Sequence, residues 1–210
     1  MDAWEMIDAE RTEFADLCDS LTPEQWDTTT LCTAWRVRDV SAHVIEGATL
    51  GGAKLVLTLA RYGFRISTML EKEAIKHGSA ETPDELRAQM RATVGVRSTP
   101  PGVKPPGVLT DEVIHQQDIR RVLGTGRSID PDRLRVALDE VKATSAGILP
   151  GKKRVDGLHL HATDMDWETG EATAPDVTGT GEALLMAMAG RAIALADLSG
   201  SGVETLRARL

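Results

Sequence analysis

The chain has 210 residues, 41% of them hydrophobic, and a formal net charge of −8. That apolar content supports a buried core and excludes disorder of the whole chain. The acidic balance and the lack of any long basic run argue against a nucleic-acid partner, because neutralising phosphates needs clustered lysine and arginine. Cys18 and Cys32 form no C-x-x-C pair, so they read as free thiols rather than half of a zinc knuckle.

The first residues, MDAWEMIDAERTEF, are acidic and amphipathic, unlike the basic-then-apolar start of a signal peptide. No apolar run approaches the roughly 20 residues needed to span a bilayer. A cytoplasmic protein without a membrane partner is expected.

Trp4, Ile7, Phe14 and Leu17 recur at helical spacing, which predicts a helix over residues 3–18. Thr22 and Pro23 suit the cap and first position of a short second helix, from which Trp26 packs. Residues 27–35, rich in threonine, read as an ordered loop. A further helix begins near Arg36, with Val37, Val40, Val44 and Ala48 as its stripe and His43 at the border. Gly51 and Gly52 interrupt it, and the apolar pattern resumes over residues 54–62. Residues 64–77 read as a helix with Ile66, Met69 and Leu70 inward. Thr82-Pro-Asp-Glu85 caps another, carrying Leu86, Met90 and Val94. Residues 99–107 hold four prolines and read as a long loop. Thr110 then caps a helix over residues 111–123, with Asp111 and Glu112 at its positive end and Gly124 as its stop. Asp130-Pro131 opens a helix reaching about Ala146.

After Pro150 the pattern changes. Residues 155–162 alternate towards their end as a strand does, residues 164–175 are rich in turn formers, and residues 176–180 suit a second strand. Residues 182–189 and 203–210 read as helices. The expected organisation is a mainly α protein, with a helical domain over residues 1–150 and a small α/β segment over residues 151–210.

One constellation suggests chemistry. Asp111, His115 and Asp118 lie four and three residues apart and so share a helix face, which Glu112 flanks. A carboxylate and an imidazole one helical turn apart suit a divalent ion such as zinc. His43, on an earlier amphipathic helix, is the best further ligand. Three protein ligands would leave a position open, as catalytic zinc sites do. The plainer alternatives are a hydrogen-bonded core histidine and acids that cap a helix start.

Three stretches carry a resemblance: Thr22-Pro-Glu-Gln-Trp26, Leu31-Cys-Thr-Ala-Trp-Arg-Val-Arg-Asp-Val-Ser-Ala-His43 and His115-Gln-Gln-Asp-Ile-Arg120. Together with Asp166-Trp167, Ala189-Gly-Arg191 and Leu198-Ser-Gly-Ser-Gly-Val203, they resemble the DinB-like family of mycothiol-dependent maleylpyruvate isomerases over nearly the whole chain. The resemblance implies a four-helix bundle with a small C-terminal segment and a divalent metal held by His43, Asp111 and His115. The family pattern has Glu where this chain has Asp111, one methylene shorter, so Glu112 is the substitute ligand to weigh. The resemblance also implies mycothiol as cofactor or co-substrate and an electrophilic small molecule as partner. The reaction would be an isomerisation or a thiol transfer through a metal-bound thiolate. A non-catalytic metal- or ligand-binding stress or regulatory protein on the same bundle is the alternative. A monomer and a homodimer both remain open.

Around this set, Asp118 is expected either to orient His115 from behind or to pair with Arg121 or Arg38. Asp39 reads as a solvated acid at a helix start, Trp26 and Trp35 as core, Cys32 as structural, and His77 as a solvated helix-end residue. His159 and His161 share the exposed face of their strand. Arg191 either binds an anionic substrate through its guanidinium fork or satisfies a helix C-terminus.

Overall fold

The computed structural model describes residues 1–32, 34–145 and 149–210. The chain forms two compact units, Met1–Arg127 and Ser128–Leu210.

The first unit is built of helices. Helix α1 (Ala3–Ser20) opens with a capping box: Asp2 Oδ1 accepts from the Trp4 and Glu5 backbone N–H groups, and the Glu5 carboxylate accepts from the Asp2 N–H. A short 3-10 turn over Gln25–Asp27 replaces the expected second helix and seats Trp26 in the core with no exposure. Helix α2 (Val37–Thr49) follows, then α3 (Gly52–Arg61), α4 (Ile66–Ala80) and α5 (Pro83–Ala92). Thr82 and Glu85 form the expected capping box of α5. Met69 is buried as expected, but Ile66 and Val94 are exposed; both lie at the ends of their predicted apolar stripes, Val94 beyond the last turn of α5.

Helix α6 (Pro105–Leu123) begins six residues earlier than its sequence suggests. Pro105 and Pro106 occupy the first turn, where a missing N–H costs nothing and a fixed φ suits the helix. Thr110 is therefore an interior residue whose hydroxyl donates to the Pro106 carbonyl, and Asp111 and Glu112 do not lie at the positive end. Gly124 ends the helix in the left-handed conformation, φ 66°.

Helix α1 packs on α5 and α6, and α2 packs on α4, α5 and α6. Phe14, Leu17 and Cys18 of α1, Val40, Val44 and Ile45 of α2, Leu86 and Met90 of α5 and Ile119 of α6 share one core with Trp26 and Trp35. This is the expected bundle. Helices α2 and α4 meet closely at Gly78, where a Cβ would lie 2.6 Å from Asp39 Oδ1 and 2.9 Å from the Arg38 carbonyl oxygen. Asp39 is buried rather than solvated. Its carboxylate accepts from the Arg36 backbone N–H and from Arg36 Nε and Nη2. His77 is also not a solvated end residue. Its Nδ1 lies 3.2 Å from Glu46 Oε1 of α2 and its Nε2 2.9 Å from Gln89 Oε1 of α5, so it ties three helices together.

The second unit starts earlier than the expected boundary at residue 150. The reason is that α7 (Pro131–Ala143) packs on α9 (Gly181–Met188) and α8 (Gly151–Val155). The expected end of α7 at Ala146 lies outside the described residues. Strand β1 (His159–Ala162) is central, antiparallel to β2 (Glu168–Thr169) and parallel to β3 (Asp176–Gly179). Leu158, Leu160 and Ala162 are buried and His161 is exposed, as strand alternation requires. A 3-10 stretch over Ala192–Asp197 and helix α10 (Val203–Arg207) complete the unit. Among the described residues no helix is long and apolar enough to cross a membrane.

Two outcomes follow from the α2–α4 contact. Gly78→Ala is expected to destabilise the protein by about 1–3 kcal/mol through overpacking, although alanine is the better helix former by ~1 kcal/mol; urea unfolding measures the sign. The hydrogen bond to Glu46 holds the His77 pKa above its ordinary 6.5, outweighing burial. Because the folded value is the raised one, this contribution is fully present below the unfolded pKa and is lost as pH rises through the folded pKa. Urea midpoints at pH about 6 and about 9 should therefore differ more for the wild type than for His77→Gln.

Candidate metal centre

Helix α6 presents different side chains to two sides. On one side lie Asp111, His115 and Asp118, separated by four and three residues as the sequence requires. On α2, His43 faces them. His43 Nε2 lies 3.4 Å from Asp111 Oδ2, and His115 Nε2 lies 3.5 Å from Asp111 Oδ1. One ligand atom from each of the three falls within 4.8 Å of the others. The two imidazoles stand edge to face, ring centroids 5.0 Å apart at 80°.

His115 is fixed from behind. Its Nδ1 lies 3.0 Å from Asp118 Oδ2, and Asp118 is fully buried. Cys32 donates its thiol to the same oxygen at 3.3 Å. An ionised carboxylate only accepts, so the imidazole proton sits on Nδ1 and the lone pair of a neutral His115 is left on Nε2, facing Asp111. Of the two roles expected for Asp118, the structure shows it behind His115, while Arg38 pairs with Asp27.

The same geometry explains the charge preferences. Burial opposes ionisation of Asp111, but His115 and His43 outweigh it and hold the carboxyl well below its ordinary range. Burial also disfavours the His115 imidazolium, yet Asp111, Asp118 and Cys32 together raise its pKa well above 6.5. Two imidazole nitrogens converge on one carboxylate, and a lone pair of neutral His115 would face that carboxylate's oxygen. Such an arrangement favours a positive charge between them, whether a proton or a metal ion. The donor set fits a divalent cation: in a tetrahedral zinc site with bonds of about 2.1 Å, ligand atoms lie ~3.4 Å apart. The Asp111 side chain keeps 42% of its exposure, so the centre has a solvent side, while His43 and His115 are only 11% and 8% exposed.

Glu112 does not share this centre. It points to the other side of α6, where Arg11 Nε of α1 donates to its Oε1 at 2.8 Å. Arg11 also donates to the Thr93 and Val96 carbonyls. Burial pushes the Glu112 carboxyl up to about 8 even though Arg11 opposes the shift. The sequence did not separate these adjacent acids. A step of one residue turns a side chain by about 100° around a helix, and that decides which partner it meets.

Arg191 lies in the second unit, where its Nη1 donates to the carbonyl of Ala189, the residue that ends α9. The helix-end role considered for it is thus present. Trp35 was expected as core alone. It is buried, but its ring lies 4.8 Å from that of His43 and 5.5 Å from that of His115. Cys32 likewise touches the centre, through Asp118. Both come from the loop between the 3-10 turn and α2, which is tied down by the Thr29–Arg36 bridge and by the Leu31 N–H donating to the Asp118 carbonyl. His43 follows Trp35 by eight residues, with the loop's end and the start of α2 between them, and no periodicity in a loop could show that contact.

Comparison with known proteins places these observations in a wider set. A family model described as the mycothiol maleylpyruvate isomerase N-terminal domain matches residues 7–120. A crystal structure of a histidine-to-alanine mutant of the mycothiol-dependent maleylpyruvate isomerase superposes with a TM-score of 0.63 at 17% identity, covering 95% of this chain and 92% of that one. A further crystal structure of the mycothiol-dependent maleylpyruvate isomerase gives a TM-score of 0.59 at 19% identity, covering 90% and 88%. At these identities the likeness is one of fold. No curated protein matches the chain.

The Arg11–Glu112 pair makes a separate stability prediction. Arg11→Ala removes a cation from Glu112, which then takes up a proton, and removes the donors to the Thr93 and Val96 carbonyls; it should cost about 1–3 kcal/mol near neutral pH and more at pH about 9, read from denaturant unfolding.

Proposed function

The chain belongs to the mycothiol maleylpyruvate isomerase N-terminal domain family, and from that premise we propose that it is a cytoplasmic metalloenzyme that uses mycothiol on an electrophilic small molecule, as an isomerase or a thiol transferase. The observation that carries this reading is the convergence of His43 Nε2, His115 Nε2 and the Asp111 carboxylate at 3.4 and 3.5 Å, with Asp111 open to solvent.

In this reading His43, His115 and Asp111 hold a divalent ion, with zinc the best match to two nitrogens and one oxygen. Such an ion, when bound, supplies the positive charge that keeps a coordinated thiol deprotonated near neutral pH and so makes it a nucleophile. The protein's own residues do the rest. Asp118 accepts the Nδ1 proton of His115 and thereby keeps Nε2 available as a donor. Trp35 covers both imidazoles and keeps water from their buried side. The solvent side at Asp111 leaves room for an incoming thiol and its electrophile. Asp111 takes the ligand role, and Glu112 is assigned to the Arg11 pair instead.

Elemental mass spectrometry of the purified protein tests this. Near-stoichiometric divalent metal is expected, and His43→Ala and His115→Ala should each remove it while helical content in circular dichroism stays largely intact. Asp111→Asn should weaken metal binding more than Glu112→Gln. The metal-loaded protein should then convert an electrophile only when mycothiol is present, with free mycothiol consumed in thiol transfer and regenerated in isomerisation. A wild-type protein that takes up no metal even after incubation with zinc would instead leave a bundle whose role is binding without catalysis.

A further inference from the structure

The two histidines of the centre are supported differently. His115 has a carboxylate behind it, the usual device for orienting a metal-ligating imidazole. His43 has none: its Nδ1 is buried, and no described residue offers it a hydrogen bond. What His43 has is Trp35. The indole lies 4.8 Å from the His43 ring, centroid to centroid, with 33° between the planes, a tilted face-to-face contact. The same indole reaches the His115 ring at 5.5 Å and 51°.

The indole is itself held at several points. Its Nε1 donates to the Glu71 carbonyl of α4 at 3.2 Å. Its backbone N–H donates to the Cys32 carbonyl at 2.7 Å, and its carbonyl accepts from both the backbone N–H and the hydroxyl of Thr30. The ring is 8% exposed. A large, rigid surface tied to α4 and to the loop therefore lies against an imidazole whose Nδ1 side has no polar tether among the described residues.

We propose that Trp35 is the positioning residue for His43. By stacking, it supplies the ring orientation that Asp118 supplies to His115 by a hydrogen bond, so that both Nε2 atoms point at Asp111. This rests on the metal-centre reading above. It extends that reading to a residue which the donor set does not include. A stack restrains tilt but leaves rotation in the ring plane looser than a hydrogen bond does. His43 is therefore the donor more sensitive to changes in the surrounding packing.

The test compares wild type, Trp35→Phe and Trp35→Leu as full-length proteins, with Zn2+ affinity read by chelator competition. Trp35→Phe keeps a stacking face and should bind zinc nearly as the wild type does. Trp35→Leu should weaken binding about 10-fold or more, the loss typical of a disturbed outer shell. The Trp35→Leu loss should persist in an Asp118→Asn background, because it acts through His43 and not through His115. A role in folding alone would lower the unfolding midpoint without this pattern. Zinc should also change the tryptophan emission of the wild type, and Trp35→Phe, which keeps the other three of the four tryptophans, should lose that change. Equal zinc affinity in wild type and Trp35→Leu overturns the inference, as does an unchanged zinc-dependent emission in Trp35→Phe. The second result decides the matter if Trp35→Leu does not fold. If the wild type binds no zinc, the metal-centre reading fails, but proton spectra of the metal-free proteins still decide this inference. His43 ring signals that are sharp in the wild type and in Trp35→Phe and broadened by exchange in Trp35→Leu support it; equally sharp signals in all three overturn it.

Discussion

The hydrogen bond between His115 Nδ1 and Asp118 Oδ2 organises much of the first unit. Burying a carboxylate is unfavourable unless it is well satisfied, and Asp118 accepts from the imidazole and from the Cys32 thiol. That one contact selects the proton-bearing nitrogen of His115, directs the other nitrogen at Asp111 and gives the loop before α2 a fixed anchor. The anchor is reinforced one atom set away, where the Leu31 N–H meets the Asp118 carbonyl. Without a carboxylate at this place the Cys32 thiol and the His115 Nδ1 proton would lose the acceptor they share.

Helix α6 must be regular throughout for this to work. The two prolines of its first turn give it an early, rigid start, so that Asp111 lies inside the helix rather than at a fraying end. The two sides of the helix then create opposite environments for neighbouring carboxyls. Asp111, between two imidazoles, is held ionised. Glu112, one residue on and buried against α1, is pushed towards its neutral form even with Arg11 beside it. Chemical identity is nearly the same at the two positions, and the surroundings set the difference.

Much of this was legible beforehand. Apolar spacing located most helices of the bundle, the strand alternation at Leu158, Leu160 and Ala162 was correct, and the spacing on residues 111–118 placed its three polar residues on one face. The misreadings have physical sources. Four prolines suggested a loop through residue 107, but two of them serve as a helix start, which composition alone does not distinguish from a turn. Asp39 and His77 look like ordinary surface residues because their partners, Arg36, Glu46 and Gln89, are chosen by helix packing. The division between units was placed late because α7 continues the helical pattern of the first unit, although its apolar side packs on α8 and α9. The part played by Trp35 depends on a loop conformation that no periodic pattern encodes.

The three candidate donors, His43, Asp111 and His115, lie inside the first unit, and so do the residues behind them, Cys32, Trp35 and Asp118. A change confined to residues 128–210 therefore alters none of these side chains, and a change at any of them falls within the first unit.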